Sequence, residues 1–312
     1  MEGLLLILLN GLVYGLLLFM LSSGLTLIVG MMGVLNFAHA SFYMLGAYFA
    51  YTISVGLGFW PALIIAPLLV GGLGALVERY GLRAVHRHGK LAELLFTVGL
   101  AFVIGEIVPL IWGRPAVPYR VPAVLDFPAF TLGGINYQAY RLFMMAVSVA
   151  IFASLYAALA RTRLGLVIRA ALTHPEMVGM LGHNVPRVFT LVFGAGCALA
   201  GLAGVIGGNV FTTSPGMAEA LGAIVFAVVI MGGLGSIPGA LLASLAIGFI
   251  QTASVTLDTP LGVLLGRLGM AVDPHGALAE ITVARAAPAV PYLLLVLVLV
   301  VHPRGLMGAR AD

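Results

Sequence analysis

The sequence predicts an all-α polytopic membrane protein, a bundle of about eight to ten spanning helices. Three observations carry this. Of 312 residues, 62% are hydrophobic and only 15 basic and 11 acidic side chains occur, so charge is far below the roughly 25% of a soluble domain. No Asp, Glu, Lys or Arg interrupts the 75 positions from Gly3 to Val77. Further charge-free runs cover 142–160, 188–218, 220–257 and 286–303, and a span needs only about 20 apolar residues. These runs are continuous rather than alternating, which argues against a β-barrel.

The apolar segments fall at 4–30, 38–57, 61–78, 91–112, 139–160, 188–208, 219–236, 240–257 and 288–302. Glycine and polar residues punctuate the 75-residue run, so it divides into two or three helices. Glu2 is the only early charge and no basic region precedes the first segment, which is therefore read as a retained helix rather than a cleaved signal. Two compact basic loops orient the bundle. One, 79–90, carries Arg79, Arg83, Arg87 and Lys90; the other, 161–187, carries Arg161, Arg163, Arg169 and Arg187. Both belong in the cytoplasm by the positive-inside bias. With Arg304 and Arg310 they place ten of the fifteen basic residues there. Nine segments then put the N terminus outside, and the stretches 113–138, 209–218 and 258–287 outside with it, whereas a count of eight or ten moves the N terminus inside. The chain reads as one membrane domain, 1–312, containing the cytoplasmic loop 161–187. Its net charge of +4 reports orientation; no soluble basic domain exists to hold nucleic acid.

Glycine is abundant, 41 residues, because small residues let helix backbones approach in lipid. Gly30, Gly33, Ala38 and Gly46 match Gly232, Gly235, Ala240 and Gly248 at one constant offset, either the pattern of a duplicated transporter half or a coincidence among abundant small residues. Enzymatic signatures are missing. Asp126, Asp258, Asp273 and Asp312 all fall in loops or at the terminus, so no membrane aspartate pair forms. There is no H-E-x-x-H helix, and the lone Cys197 rules out a disulfide framework or a cysteine metal cluster. No metal site and no catalytic residue is expected.

Polar residues inside the apolar segments are the candidates for a pathway. Glu106 is an intramembrane carboxylate, costly unless it serves a path or a partner; its alternative is an interfacial position near Pro109 and Arg114. Asn36, His39 and Ser41 follow the flexible G-M-M-G at 30–33, where a broken helix with polar side chains either lines a cavity or forms a buried joint. The run M-G-G-L-G-S-I-P-G-A at 231–240 contributes Gly232, Gly233, Gly235, Pro238 and Gly239 as a gate or a tight structural turn. In the second basic loop, Thr173 is placed to N-cap a short helix whose first turn holds Pro175 and Glu176, ending at Gly182. Such a helix on the cytoplasmic side is either a plain surface loop or a docking element.

Taken in order, N-F-A-H-A-S-F-Y-M-L-G-A-Y, R-A-A-L-T-H-P-E-M-V-G-M-L-G-H-N-V, L-A-G-L-A-G-V-I, S-P-G-M and M-G-G-L-G-S-I-P-G-A resemble the permease subunits of ATP-binding-cassette importers. The resemblance is to the H-type permease of branched-chain amino-acid uptake, with a type II-like importer fold. It implies that the short helix is the coupling helix, with Arg169, Thr173, His174, Pro175, Glu176, Met177, Gly179 and Gly182 at the contact with a cytoplasmic ATPase. Met177 and Val178 stand where that loop usually has small residues. The sequence has no G-x-x-x-x-G-K-[ST], and its only lysine is Lys90, so ATP and Mg belong to partner subunits and no cofactor is expected on this chain. The resemblance further implies a paralogous permease, two ATP-binding subunits, a periplasmic substrate-binding protein and a bacterial inner membrane. The function expected is import of Leu, Ile or Val by alternating access. Two other transport classes stay open: from the residues, an ion- or proton-coupled secondary transporter titrating Glu106, and, as the resemblance also implies, an importer permease for urea or amides. A structural membrane subunit without a pathway is the third class.

Overall fold

The computed structural model describes residues 2–132, 134–173, 175–182, 184–256, 259–260, 263 and 282–308. Helix α1 spans Glu2–Met32, α2 His39–Leu57 and α3 Phe59–Leu76. A π-helical turn, Val77–Leu82, carries α3 into α4, Arg83–His86, and α5 covers Lys90–Trp112. An antiparallel hairpin follows, β1 Pro128–Leu132 with β2 Ile135–Gln138. Then come α6 Ala139–Arg161, α7 Arg163–Thr173, α8 Pro175–Met180, α9 Val185–Gly207, α10 Met217–Gly232 and α11 Ile237–Thr256. The chain closes with α12 Val283–Ala286 and α13 Val290–Val301. Eight helices among the described residues are long and apolar enough to cross a membrane, counting 59–86 and 283–301 as continuous; α10 is a shorter apolar helix of 16 residues.

Three details differ from the sequence reading. The apolar segment 219–236 is helical only to Gly232, because Gly233 and Gly235 take φ of +100° and +83°, a region that side chains with a Cβ avoid. Thr173 belongs to the preceding helix as the last residue of α7, and α8 runs from Pro175 to Met180 rather than to Gly182. His174 lies outside the described residues. Finally, the proline-rich stretch 113–138 contains the β1–β2 hairpin, where the Phe130 and Tyr137 rings stack at 5.0 Å. Most of 258–287 lies outside the described residues.

Long-range contacts define two ends. Arg83 donates to the Pro186 carbonyl at 2.7 Å, and Gly30 packs directly on Gly235. The α4–α5 turn, the start of α9 and the α10–α11 turn thus share one end, which also holds both basic loops. At the other end Val117 bridges to Thr213, and the Tyr119 hydroxyl donates to the Val205 carbonyl at 3.0 Å.

Lipid offers no hydrophobic gain for helix association, so tight van der Waals contact has to supply it. Helix α9 is the axis of that contact. Its Gly196 faces Ile28 and the Gly24 carbonyl of α1, Gly204 faces Tyr43 and Ala47 of α2, and Gly201 faces Val70 of α3. A second seam joins α1 to α11, where a Cβ at Gly248 would lie 2.5 Å from the Cα of Gly15. Leu there should cost at least the roughly 1–3 kcal/mol of ordinary overpacking, because backbone rather than a movable side chain blocks it. Gly248→Leu is expected to lower the melting temperature in detergent markedly, whereas Gly72→Ala, with nothing within 4 Å of the new methyl, should leave it unchanged. A second prediction concerns the far end. Burial pushes the Tyr119 phenol from 10.0 up to about 12. A raised tyrosine pKa favours the protonated fold, so its contribution is full below pH 10 and fades as pH climbs toward 12. Melting curves of Tyr119→Phe should therefore lose less stability than wild type across that alkaline range.

Candidate functional site

Helices α5 and α10 face each other across an open cavity of about 830 Å³, floored by the first turn of α2. Ala and Gly residues make much of its wall, with Phe102 from α5 and Phe226 from α10. Phe37, just before α2, stacks on Phe226 with ring centroids 4.6 Å apart. Since α2 begins at the basic end, that aromatic pair closes the basic-end part of the cavity. Toward the opposite end stand Glu106, Arg114 and Glu219. All three are exposed, and none belongs to an ion pair among the described residues. Charge held within a membrane bundle is expensive unless it faces water, a partner or a ligand. One surface thus offers both signs of charge beside aromatic and aliphatic walls.

The sequence candidates separate into groups. Ser41 and Glu106 line the cavity. Asn36 and His39 do not: both are fully buried at the break between α1 and α2. The Asn36 side-chain oxygen accepts from the Ala38 amide at 3.1 Å, and His39 Nε2–H donates to the Leu21 carbonyl at 2.9 Å. Each holds the chain where α1 ends at Gly33, φ +63°.

The run 231–240 is a turn at the basic end. Ser236 Oγ caps α11 by accepting from the Gly239 amide at 3.2 Å, with Pro238 in that helix's first turn. Gly239 abuts Gly232, and Gly235 abuts Gly30. A strap from the chain's last described residues completes it: the Leu306 and Met307 amides donate to the Met231 and Gly232 carbonyls at 2.8 and 3.1 Å. Gly232, Gly233, Gly235, Pro238 and Gly239 therefore form a tight turn at the base of α10, away from the cavity lining.

Beside it, α8 projects from the bundle. Val178 is buried, while Met177, Met180 and Leu181 are 60, 82 and 78% exposed. Gly179 lies within α8, and Gly182 turns the chain with φ +85°. Asn184 then caps α9, its side chain accepting from the Arg187 amide at 3.1 Å. Arg169 and Thr173 lie on α7, and Pro175 and Glu176 open α8. Together these residues make a short helix with exposed apolar side chains, a few residues before α9.

Sequence reasoning missed Glu219 and the Phe37–Phe226 pair, and took Arg114 only as an interfacial neighbour of Glu106. One signal was present: Glu219 is the only charge between Arg187 and Asp258.

A family model described as "Branched-chain amino acid transport system / permease component" matches residues 7–301. Among curated relatives, the high-affinity branched-chain amino acid transport system permease protein LivH of Salmonella typhimurium is 28% identical over 319 residues, covering 96% of this chain and 94% of its own. The corresponding BraD protein of Pseudomonas aeruginosa is 28% identical over 257 residues, with 78% and 84% covered. A probable branched-chain amino acid transport permease protein LivH of Methanocaldococcus jannaschii is 30% identical over 255 residues, with 78% of each covered. No solved structure matches the chain significantly.

Proposed function

Because the chain belongs to the family of permease components of branched-chain amino-acid transport systems, we propose that it forms half of the channel of an ATP-driven importer for leucine, isoleucine and valine. It is a multi-pass membrane transport subunit and not an enzyme. The observation that carries the finer reading is the cavity, with Glu106, Arg114 and Glu219 beside Phe37, Phe102 and Phe226. A zwitterionic amino acid brings an ammonium and a carboxylate, and its aliphatic side chain suits the aromatic wall. The cavity's open side is where a paralogous permease subunit completes the enclosure. The strongest support for that partner is unpaired charge on an open face, since lipid would not tolerate it.

In this reading two cytoplasmic ATPase subunits receive the exposed Met177 and Met180 of α8 and the adjoining Leu181, and ATP and Mg are held on those subunits. A periplasmic binding protein delivers substrate at the hairpin end, across a bacterial inner membrane. ATP-driven closure presses on α8, and the bundle alternates between a cavity open to the hairpin end and one released past the Phe37–Phe226 pair. Asn36, His39 and the 232–239 turn serve as joints around which that change occurs.

Reconstitution with the partner subunits tests the assignment. Glu176→Arg with Gly182→Leu is expected to abolish ATPase stimulation by loaded binding protein; undiminished stimulation refutes the coupling role. Arg114→Gln and Glu219→Gln should each lower uptake about tenfold, a loss of roughly 1.4 kcal/mol, with protein yield unchanged. A secondary transporter would behave differently: uptake by this chain alone, without ATP, abolished by Glu106→Gln, would replace the importer reading.

A further inference from the structure

Charge is so scarce here that its pairing is informative. Among the described residues only two ion pairs occur, and they are successive links between the start of α9 and the start of α5. The first surrounds the π-helical turn. Glu78 is almost fully buried, and the Arg83 guanidinium lies 2.8 Å from its Oε2. The same Arg83 donates to the Pro186 carbonyl at 2.7 Å and to Thr190 Oγ1 at 2.6 Å. Thr190 Oγ1–H in turn meets Glu78 Oε2 at 2.5 Å. Pro186 and Thr190 are in the first turns of α9, directly after α8. The second link joins α4 to α5, where His86 Nδ1–H donates to the buried Glu93 carboxylate. Helix α5 then carries Glu106 into the cavity.

We infer that Glu78, Arg83 and Thr190, with His86 and Glu93, form a polar relay that transmits displacement of α8 to the α5 wall of the cavity. The inference rests on α8 being the ATPase-docking element. The physical case is one of stiffness. Helix α5 packs loosely, with few buried residues, so apolar contact alone would let it lag behind α9. Short, charge-assisted bonds have defined geometry and resist shear, whereas an apolar contact slides. A π turn inside a helix is frequently found at functional sites, and here Glu78 and Arg83 brace it against α9. These are positioning residues: none of them touches the cavity charges.

The test uses the full reconstituted complex with Thr190→Val, which keeps the side-chain shape, and Glu93→Leu, which leaves only an exposed imidazole unpaired. Each variant is expected to retain ATPase copurification and stimulation, while substrate moved per ATP hydrolysed falls about fivefold or more. Nitroxide labels at His88 and Leu181 should hold one separation through the ATP cycle in the wild type and drift apart in Thr190→Val. An unchanged transport-to-ATP ratio in assembled variants overturns the relay, and so does a parallel fall of both activities. Should Thr190→Val fail to fold, Glu93→Leu, which removes only the bond to His86, decides the matter. Failure of the underlying docking assignment is visible separately: Met180→Asp with Leu181→Asp would then leave ATPase copurification intact.

Discussion

Everything in this bundle depends on how closely helix backbones approach one another. In water, a core forms because apolar surface leaves the solvent; between lipid-immersed helices that gain disappears, and only dispersion contact and polar bonds remain. Helix α9 meets α1, α2 and α3 through Gly196, Gly204 and Gly201, and α1 meets α11 through Gly15 and Gly248. These seams leave a tightly packed body of α1, α2, α3, α9 and α11. Helices α5 and α6 sit at its edge with few buried residues, and α10 shares only part of its surface with it.

That division of rigidity explains the placement of polar groups. Within the tight body, Ser and Thr side chains bond to local carbonyls, as Thr26 does to Ser22 and Ser23 to Met20. Around the looser helices, full charges appear. Glu106 and Glu219 stand on facing walls of the cavity, while Arg83 and Glu93 hold the turn between α4 and α5. The scaffold is therefore apolar and glycine-rich, and the machinery attached to it is polar.

Much of this was legible in the sequence. Segments reveal themselves by length, and basic loops by charge, because both are local properties; the 161–187 loop and Glu106 stood out for that reason. The end of α10 was not legible, since hydropathy continues smoothly through Gly233 and only the backbone angle stops the helix. The roles of Asn36 and His39 were ambiguous between joint and lining, because the facing direction of a side chain just after a helix break has no periodicity to fix it. Arg114 was noted only as an interfacial neighbour of Glu106, and Glu219 escaped notice because α10 is distant in sequence from α5. The Phe37–Phe226 contact escaped for the same reason. The β1–β2 hairpin was masked by the prolines around it.

The strap at residues 306–307 bears on how the chain is made. The carbonyls of Met231 and Gly232 find their closing donors in a segment synthesised long after α10 has left the ribosome. Until those residues emerge, the base of α10 has open carbonyls at the membrane surface, and the turn above Gly30 is incomplete. Domains fold as their sequence appears, but this one holds back its final seal. The last bonds to the base of α10, one wall of the cavity, thus come from residues made after every helix of the tight body.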